Sequence, residues 1–130
     1  LESKALTSAV EELALDKNTN VLYPTVGHEI SKVERTIGRL KSRGYNVYIV
    51  DVSLPLEETK RRAYKRFAKT GRLVPTSYIN EVGEKPSQTY LTLKEAGIAD
   101  GYAKIDNSAP PDQPRVIIED SGGVLPQSFE

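Results

Sequence analysis

YNVYIVDVSLPLEETKRRAYKRFAKTGRLVP, residues 45–75, is the stretch on which the fold turns. Asn46 to Val52 predict a strand, because Val47, Tyr48, Ile49, Val50 and Val52 form a nearly unbroken apolar, β-branched run. Such a strand belongs in the middle of a parallel sheet covered by helices on both faces. Asp51 interrupts the run, and with Ser53 it falls at the carboxyl end, where open α/β sheets hold their ligands. Pro55 pre-sets the first turn of a helix and Gly71 ends it. On that helix Leu56, Ala63 and Phe67 share a narrow apolar face, the expected attachment to the sheet. Arg62, Arg66 and Lys69 follow each other beside that face rather than opposite it.

Charge is gathered in the same place. Lys60, Arg61, Arg62, Lys65, Arg66, Lys69 and Arg72 stand against Glu57 and Glu58 alone, whereas the whole chain balances 18 basic with 18 acidic side chains. A solvated helix face is one reading of such a run. Guanidinium groups bordering a buried face at the ligand edge of a sheet support another, because their planar forks bind polyphosphate oxygens in pairs and stay charged.

At 130 residues the chain is large enough for one α/β domain spanning 1–130 and too small for two. It has no apolar run long enough for a bilayer and no signal-peptide pattern, so a cytoplasmic location is expected. Its neutral balance speaks against wholesale nucleic-acid coating. With no cysteine, disulfides and thiolate metal sites are excluded, and the single His28 makes a histidine metal site implausible. His28 reads as a surface residue. The absence of methionine, even at position 1, suggests a fragment or processed piece of a longer chain.

Residues 4–15 predict a covering helix, with Leu6, Ala9, Val10 and Leu13 at helical spacing. Asn20 to Tyr23 predict a short strand ending in Pro24-Thr25-Val26-Gly27. A helix from about His28 to Arg43 follows, with Ile30, Val33, Ile37 and Leu40 inward and Gly44 as its stop. A strand, helix and strand of this length make a right-handed crossover, so the strands at Asn20 and Asn46 should run parallel, with Thr25 on the same edge as Asp51 and Ser53. After the basic helix, Thr76 to Val82 and Ser87 to Glu95 predict two short helices. With Lys69 and Arg72 before them they suit a lid over residues 70–97, or equally a static pair finishing the core. Tyr102 to Ile105 and Arg115 to Glu119 predict the last strands, Ala109 to Pro114 a stiff loop, and 121–130 a loose tail.

The run RAYKRFAKTGRLVP, with Arg62, Arg66, Gly71, Arg72 and Pro75 at its fixed points, resembles the C-terminal half of zeta-toxin-type P-loop kinases. NVLYPTVG and GYNVYIV upstream and IDNS downstream extend the likeness over most of the chain. The resemblance implies an α/β fold of P-loop-kinase type: a three-layer, mostly parallel sheet with covering helices, incomplete at its N-terminal side. It implies ATP-dependent phosphorylation of a small molecule, in zeta toxins a nucleotide-activated amino sugar, with ATP and Mg2+ as cofactors and an antitoxin-like protein as a possible partner. Arg62 and Arg66 would neutralise the ATP phosphates, with Lys69 and Arg72 on the lid. Where the family carries Glu-Gly-Thr to hold the acceptor, only Thr25 matches, behind Tyr23 and Pro24; a helix cap is the other account of Thr25. In the resembled family the position of Asp106 and Asn107 lies near the nucleotide; an Asx turn closing the strand is the simpler reading of the two.

No G-x-x-x-x-G-K-[ST] phosphate cradle occurs in these residues. The main ligands of ATP and magnesium are therefore expected outside this chain, and the loss of the cradle strand would leave apolar sheet edges exposed. Two rivals stand beside the kinase reading. One is a catalytically inactive α/β module that binds a nucleotide or an acidic protein through the same helix. The other is a nucleic-acid contact by that helix, which lacks interleaved aromatic residues for stacking bases.

Overall fold

Apolar residues spaced by three and four build the helices, and alternating ones build the strands. The computed structural model describes residues 2–110 and 112–125. In chain order the elements are α1 (Glu2–Asp16), α2 (Ile30–Ser42), β1 (Tyr48–Ser53), α3 (Leu56–Thr70), α4 (Thr76–Val82), α5 (Lys85–Ala96), β2 (Gly101–Asp106) and β3 (Val116–Asp120). Gly71 ends α3 in the left-handed region at φ 74°, donating its N–H to the Phe67 carbonyl. A residue with a Cβ resists that conformation, which is why the helix stops there.

The class is mixed α/β. A three-stranded sheet has the order β1-β2-β3, with β1 and β2 parallel and β2 and β3 antiparallel. Partnering of Asp51 with Lys104 and of Ser53 with Asp106 puts these four side chains on one face, together with Ile49 and Tyr102. α5 packs on β1, and its Leu93, 1% exposed, joins Leu15, Ile37, Leu40 and Val47 in the main core. Each such leucine contributes about 1.5–3 kcal/mol by leaving water. Across the strands, Gly101 sits where an added Cβ would lie 2.8 Å from Tyr48 Cδ1 and 3.0 Å from Val124 Cγ2.

Three expectations are corrected. Asn20 to Tyr23 do not form a strand, so no parallel partner for β1 arises there. No neighbouring strand among the described residues offers that segment a ladder. Tyr23 turns instead toward α2, where its hydroxyl accepts from Arg39 Nη2 at 3.2 Å. β1 is also not covered on both faces: Tyr48, Val50 and Val52 are 55%, 45% and 56% exposed. Finally, α3 buries none of its residues, and Phe67 is 42% exposed. The helix leans on α4 rather than lying flat on the sheet.

Of the tail predicted over 121–130, residues 126–130 lie outside the described residues. The part before them is tied back: the Asp120 carboxylate accepts from the N–H groups of Gly122, Val124 and Leu125 at 3.0, 3.1 and 3.2 Å. These bonds hold its carboxyl below the usual range. In the loop expected over 109–114, Pro111 lies outside the described residues.

Candidate functional site

Parallel pairing of β1 with β2 sets their carboxyl ends side by side, at Ser53 and Asp106. α3, α4 and the start of α5 stand round these ends and bound a hollow of about 740 Å³. Its composition is divided. Leu54, Leu56, Ala63, Val74, Tyr78, Ile79 and Val82 supply apolar wall, while Arg62, Arg66, Lys104, Glu84, Asp106 and Asn107 supply charge and polarity. His28, a surface residue in the sequence reading, meets Tyr78 edge-on with ring centroids 6.4 Å apart.

The two arginines of the hollow differ in what they already hold. Arg62 donates through Nε to Glu58 Oε1 at 2.9 Å, and through Nη2 to the carbonyls of Asn107 and Ala109 at 2.8 and 3.3 Å. Its Nη1 group has no partner among the described residues. Arg66, one turn later, is exposed and its guanidinium pairs with no group among the described residues, although the residue lines the same hollow. A guanidinium in that condition has all its donors available to an incoming anion.

Beneath them, Lys104 rises from β2 with its ammonium 3.6 Å from Asp51 Oδ2. Ser87 Oγ donates to the same oxygen at 3.1 Å, so the Asp51 carboxylate, 8% exposed, is doubly met. Asp51 stands toward the carboxyl end of β1 as expected, yet its Oδ2 is taken up by these two partners. Asp106 closes an Asx turn, its Oδ1 accepting from the Ser108 N–H at 2.8 Å and from Ser108 Oγ at 2.5 Å. The Ser108 hydroxyl, then its N–H, hold the Asp106 carboxyl below the usual carboxylate value. Asn107 donates its N–H to the Ser53 carbonyl at 2.8 Å, joining the two strand ends.

Behind Lys104 the same face carries a second polar group. Tyr90 donates to Glu119 Oε1 at 2.7 Å and Lys94 to Glu119 Oε2 at 2.7 Å. Burial, followed by the bond to Glu119, raises the Tyr90 phenol well above its ordinary value, and Lys94 followed by Tyr90 lowers the Glu119 carboxyl.

The structure thus brings Arg62, Arg66, Asp106 and Asn107 to one hollow. It does not bring the other three candidates there. Thr25 Oγ1 accepts from the Gly27 N–H at 3.3 Å in a local turn, and α2 begins after it without a side-chain cap. Lys69 stands in the last turn of α3 and Arg72 just beyond the helix, both outside the lining of the hollow. Lys104, Ser87 and Tyr78 line it and were not singled out in the sequence. Period-two alternation in GYAKID, with Gly101, Ala103 and Ile105 buried, was the available signal that Lys104 shares a face with Asp106.

Chemically, the hollow suits a ligand with an anionic end and an apolar or planar end. Among the described residues no three His, Asp or Glu side chains converge as a metal site, and no helix is long and apolar enough to cross a membrane. A family model described as Zeta toxin matches residues 1–110. No curated protein and no solved structure matches the chain.

Proposed function

The chain belongs to the zeta-toxin family, and on that premise we propose that it is part of an ATP-dependent phosphotransferase acting in the cytoplasm on a small molecule such as a nucleotide-activated sugar. The observation that carries the reading is Arg66, an unpaired guanidinium on the wall of a hollow at the carboxyl ends of parallel strands. Arg66 and the Nη1 group of Arg62 bind phosphate oxygens and offset the charge that gathers on the transferring group. ATP, when bound, would supply that group, and magnesium would offset its negative charge. These residues fit the anionic end of ATP. The main phosphate and magnesium ligands we assign outside this chain, since no G-x-x-x-x-G-K-[ST] run occurs in it.

Asp106 and Asn107 are assigned to the nucleotide, Thr25 to the acceptor, and Lys69 and Arg72 to the lid. The lid is residues 70–97, attached to the core through Ile79 of α4 and through Thr89, Tyr90 and Leu93 of α5. The finer architecture, a three-layer and mostly parallel sheet, places a further strand against the outer edge of β1, which has no partner among the described residues. An antitoxin-like protein is the partner this reading anticipates.

The test is Arg66→Ala in the complete polypeptide that carries this chain, assayed for transfer of the ATP γ-phosphoryl group. A fall of about 100-fold or more is expected; an unchanged rate removes Arg66 from the mechanism. One observation favours the second reading, a catalytically inactive binding module: Arg62 spends Nε and Nη2 on its own chain. Under that reading ATP binds the complete polypeptide and no phosphorylated product forms.

A further inference from the structure

Arg115 lies outside the hollow, and none of the roles above uses it. It opens the approach to β3, and its Nε donates to Asn107 Oδ1 at 2.8 Å while Nη1 donates to the Gln113 carbonyl at 3.3 Å. Asn107 is thereby held at three atoms. Its N–H is on Ser53, its carbonyl accepts from Arg62, and its side-chain oxygen accepts from Arg115.

The orientation of the Asn107 amide follows from chemistry alone. A guanidinium has donors and no acceptor, so the end of the amide that faces Arg115 must be the oxygen. The end left over is Nδ2, a donor with no partner among the described residues, on a residue that lines the hollow. Without Arg115 the amide is free to turn and to present oxygen as readily as nitrogen.

We infer that Arg115 is a positioning residue: it fixes the Asn107 amide so that Nδ2 is offered as a hydrogen-bond donor to an uncharged acceptor atom in the nucleoside portion of the ligand. The inference rests on the phosphotransferase reading above. The phosphate end of such a ligand is met by Arg66 and by Nη1 of Arg62, where charge is needed. A neutral amide donor instead suits a ring nitrogen or carbonyl oxygen, beside the apolar wall that includes Tyr78. Arg115 acts at a distance from that contact, through the one atom of Asn107 it holds.

The test uses Arg115→Ala, Arg115→Lys, Asn107→Asp and Asn107→Leu in the complete polypeptide, with two measurements. Amide hydrogen exchange over residues 106–109 without nucleotide reads whether the loop is held. Affinities for ATP and for inorganic tripolyphosphate, taken as a ratio, read the nucleoside contact separately from the phosphates and from any added charge. Arg115→Ala is expected to speed exchange and to lower the ATP-to-tripolyphosphate ratio about tenfold, as loss of one neutral hydrogen bond to the nucleoside would. Asn107→Asp keeps an oxygen for Arg115 and loses the donor, so exchange stays slow while the ratio falls as far. Asn107→Leu loses both, and Arg115→Lys recovers part of both. An unchanged ratio in Asn107→Asp overturns the donor, and an unchanged ratio in Arg115→Ala overturns the positioning role. If the unsubstituted protein binds neither ATP nor tripolyphosphate, the reading of the hollow falls and this inference with it. If it binds both and every variant keeps the ratio, only the inference falls.

Discussion

The first two turns of α3 and its last two each carry three basic residues, yet only the first two also carry acids, Glu57 and Glu58, and the structure uses them. Glu57 and Glu58 meet Lys60, Arg61 and Arg62 at 3.4, 2.6 and 2.9 Å, so each cation at the beginning of the helix has a carboxylate partner and two of the three positive charges are offset. Lys65, Arg66 and Lys69, and Arg72 beyond the helix, have no carboxylate partner among the described residues. Like charges one turn apart cost about 0.2–0.5 kcal/mol per pair, a small penalty that the second half bears and the first half avoids. The surplus charge of the run as a whole is therefore a poor guide. What matters is which cations have been spent, and one turn separates Arg62, which anchors the loop after β2, from Arg66, which anchors nothing.

The largest expected effect tests the free half. Arg66→Ala should reduce phosphoryl transfer about 100-fold or more and leave the free energy of urea unfolding within about 0.5 kcal/mol of the unsubstituted protein. A clear loss of stability would break the contrast, since Arg66 would then have a structural partner. Arg62→Ala should do the converse on stability, costing about 1.5–3 kcal/mol in urea unfolding, because Glu58 and two loop carbonyls lose their donor. If it unfolds no more easily than Arg66→Ala, the anchor is illusory. Lys69→Ala and Arg72→Ala should each weaken tripolyphosphate binding only about threefold, with the difference vanishing above about 0.5 M salt, as exposed charges do.

The smallest effect is a titration. Glu58 has its carboxyl lowered from 4.5 to about 2, by Arg61 first and Arg62 next. A folded value below the unfolded one stabilises above the unfolded pKa, and that contribution is lost as pH falls through the folded value. The pairs should therefore hold unchanged at pH 5 and above and dissolve toward pH 2. Carboxyl carbon shifts in NMR should show the Glu58 midpoint moving up toward 4.5 in Arg61→Ala, and a midpoint that stays near 2 would show that Arg61 is not the main cause.

Much of this was legible in the chain. Thr76–Val82 was read to the residue, and the proline starts and glycine stops gave α3 and α5 within two residues, because those signals act through the local backbone. The strand at Asn20 was misread because a ladder needs a partner, and no property of Val21 or Leu22 reports whether one stands alongside. Exposure of Tyr48, Val50 and Val52 was invisible for the same reason: an apolar run says what a segment can bury, not what covers it. Arg62 and Arg66 could be gathered from helix phase, and Asp106 and Asn107 from the family resemblance at the end of a strand. Arg115 could not, since its bond to Asn107 spans a loop whose course no spacing rule predicts.

The bare face of β1 bears on handling the protein at the bench. Three large side chains, Tyr48, Val50 and Val52, stand in a row beside a strand border whose amides and carbonyls have no ladder among the described residues. Two copies can join along such borders into a continuous ribbon. Any preparation in which that face stays uncovered should scatter more light per molecule as concentration rises, and Val50→Lys, which sets a charge in the row, should keep it clear.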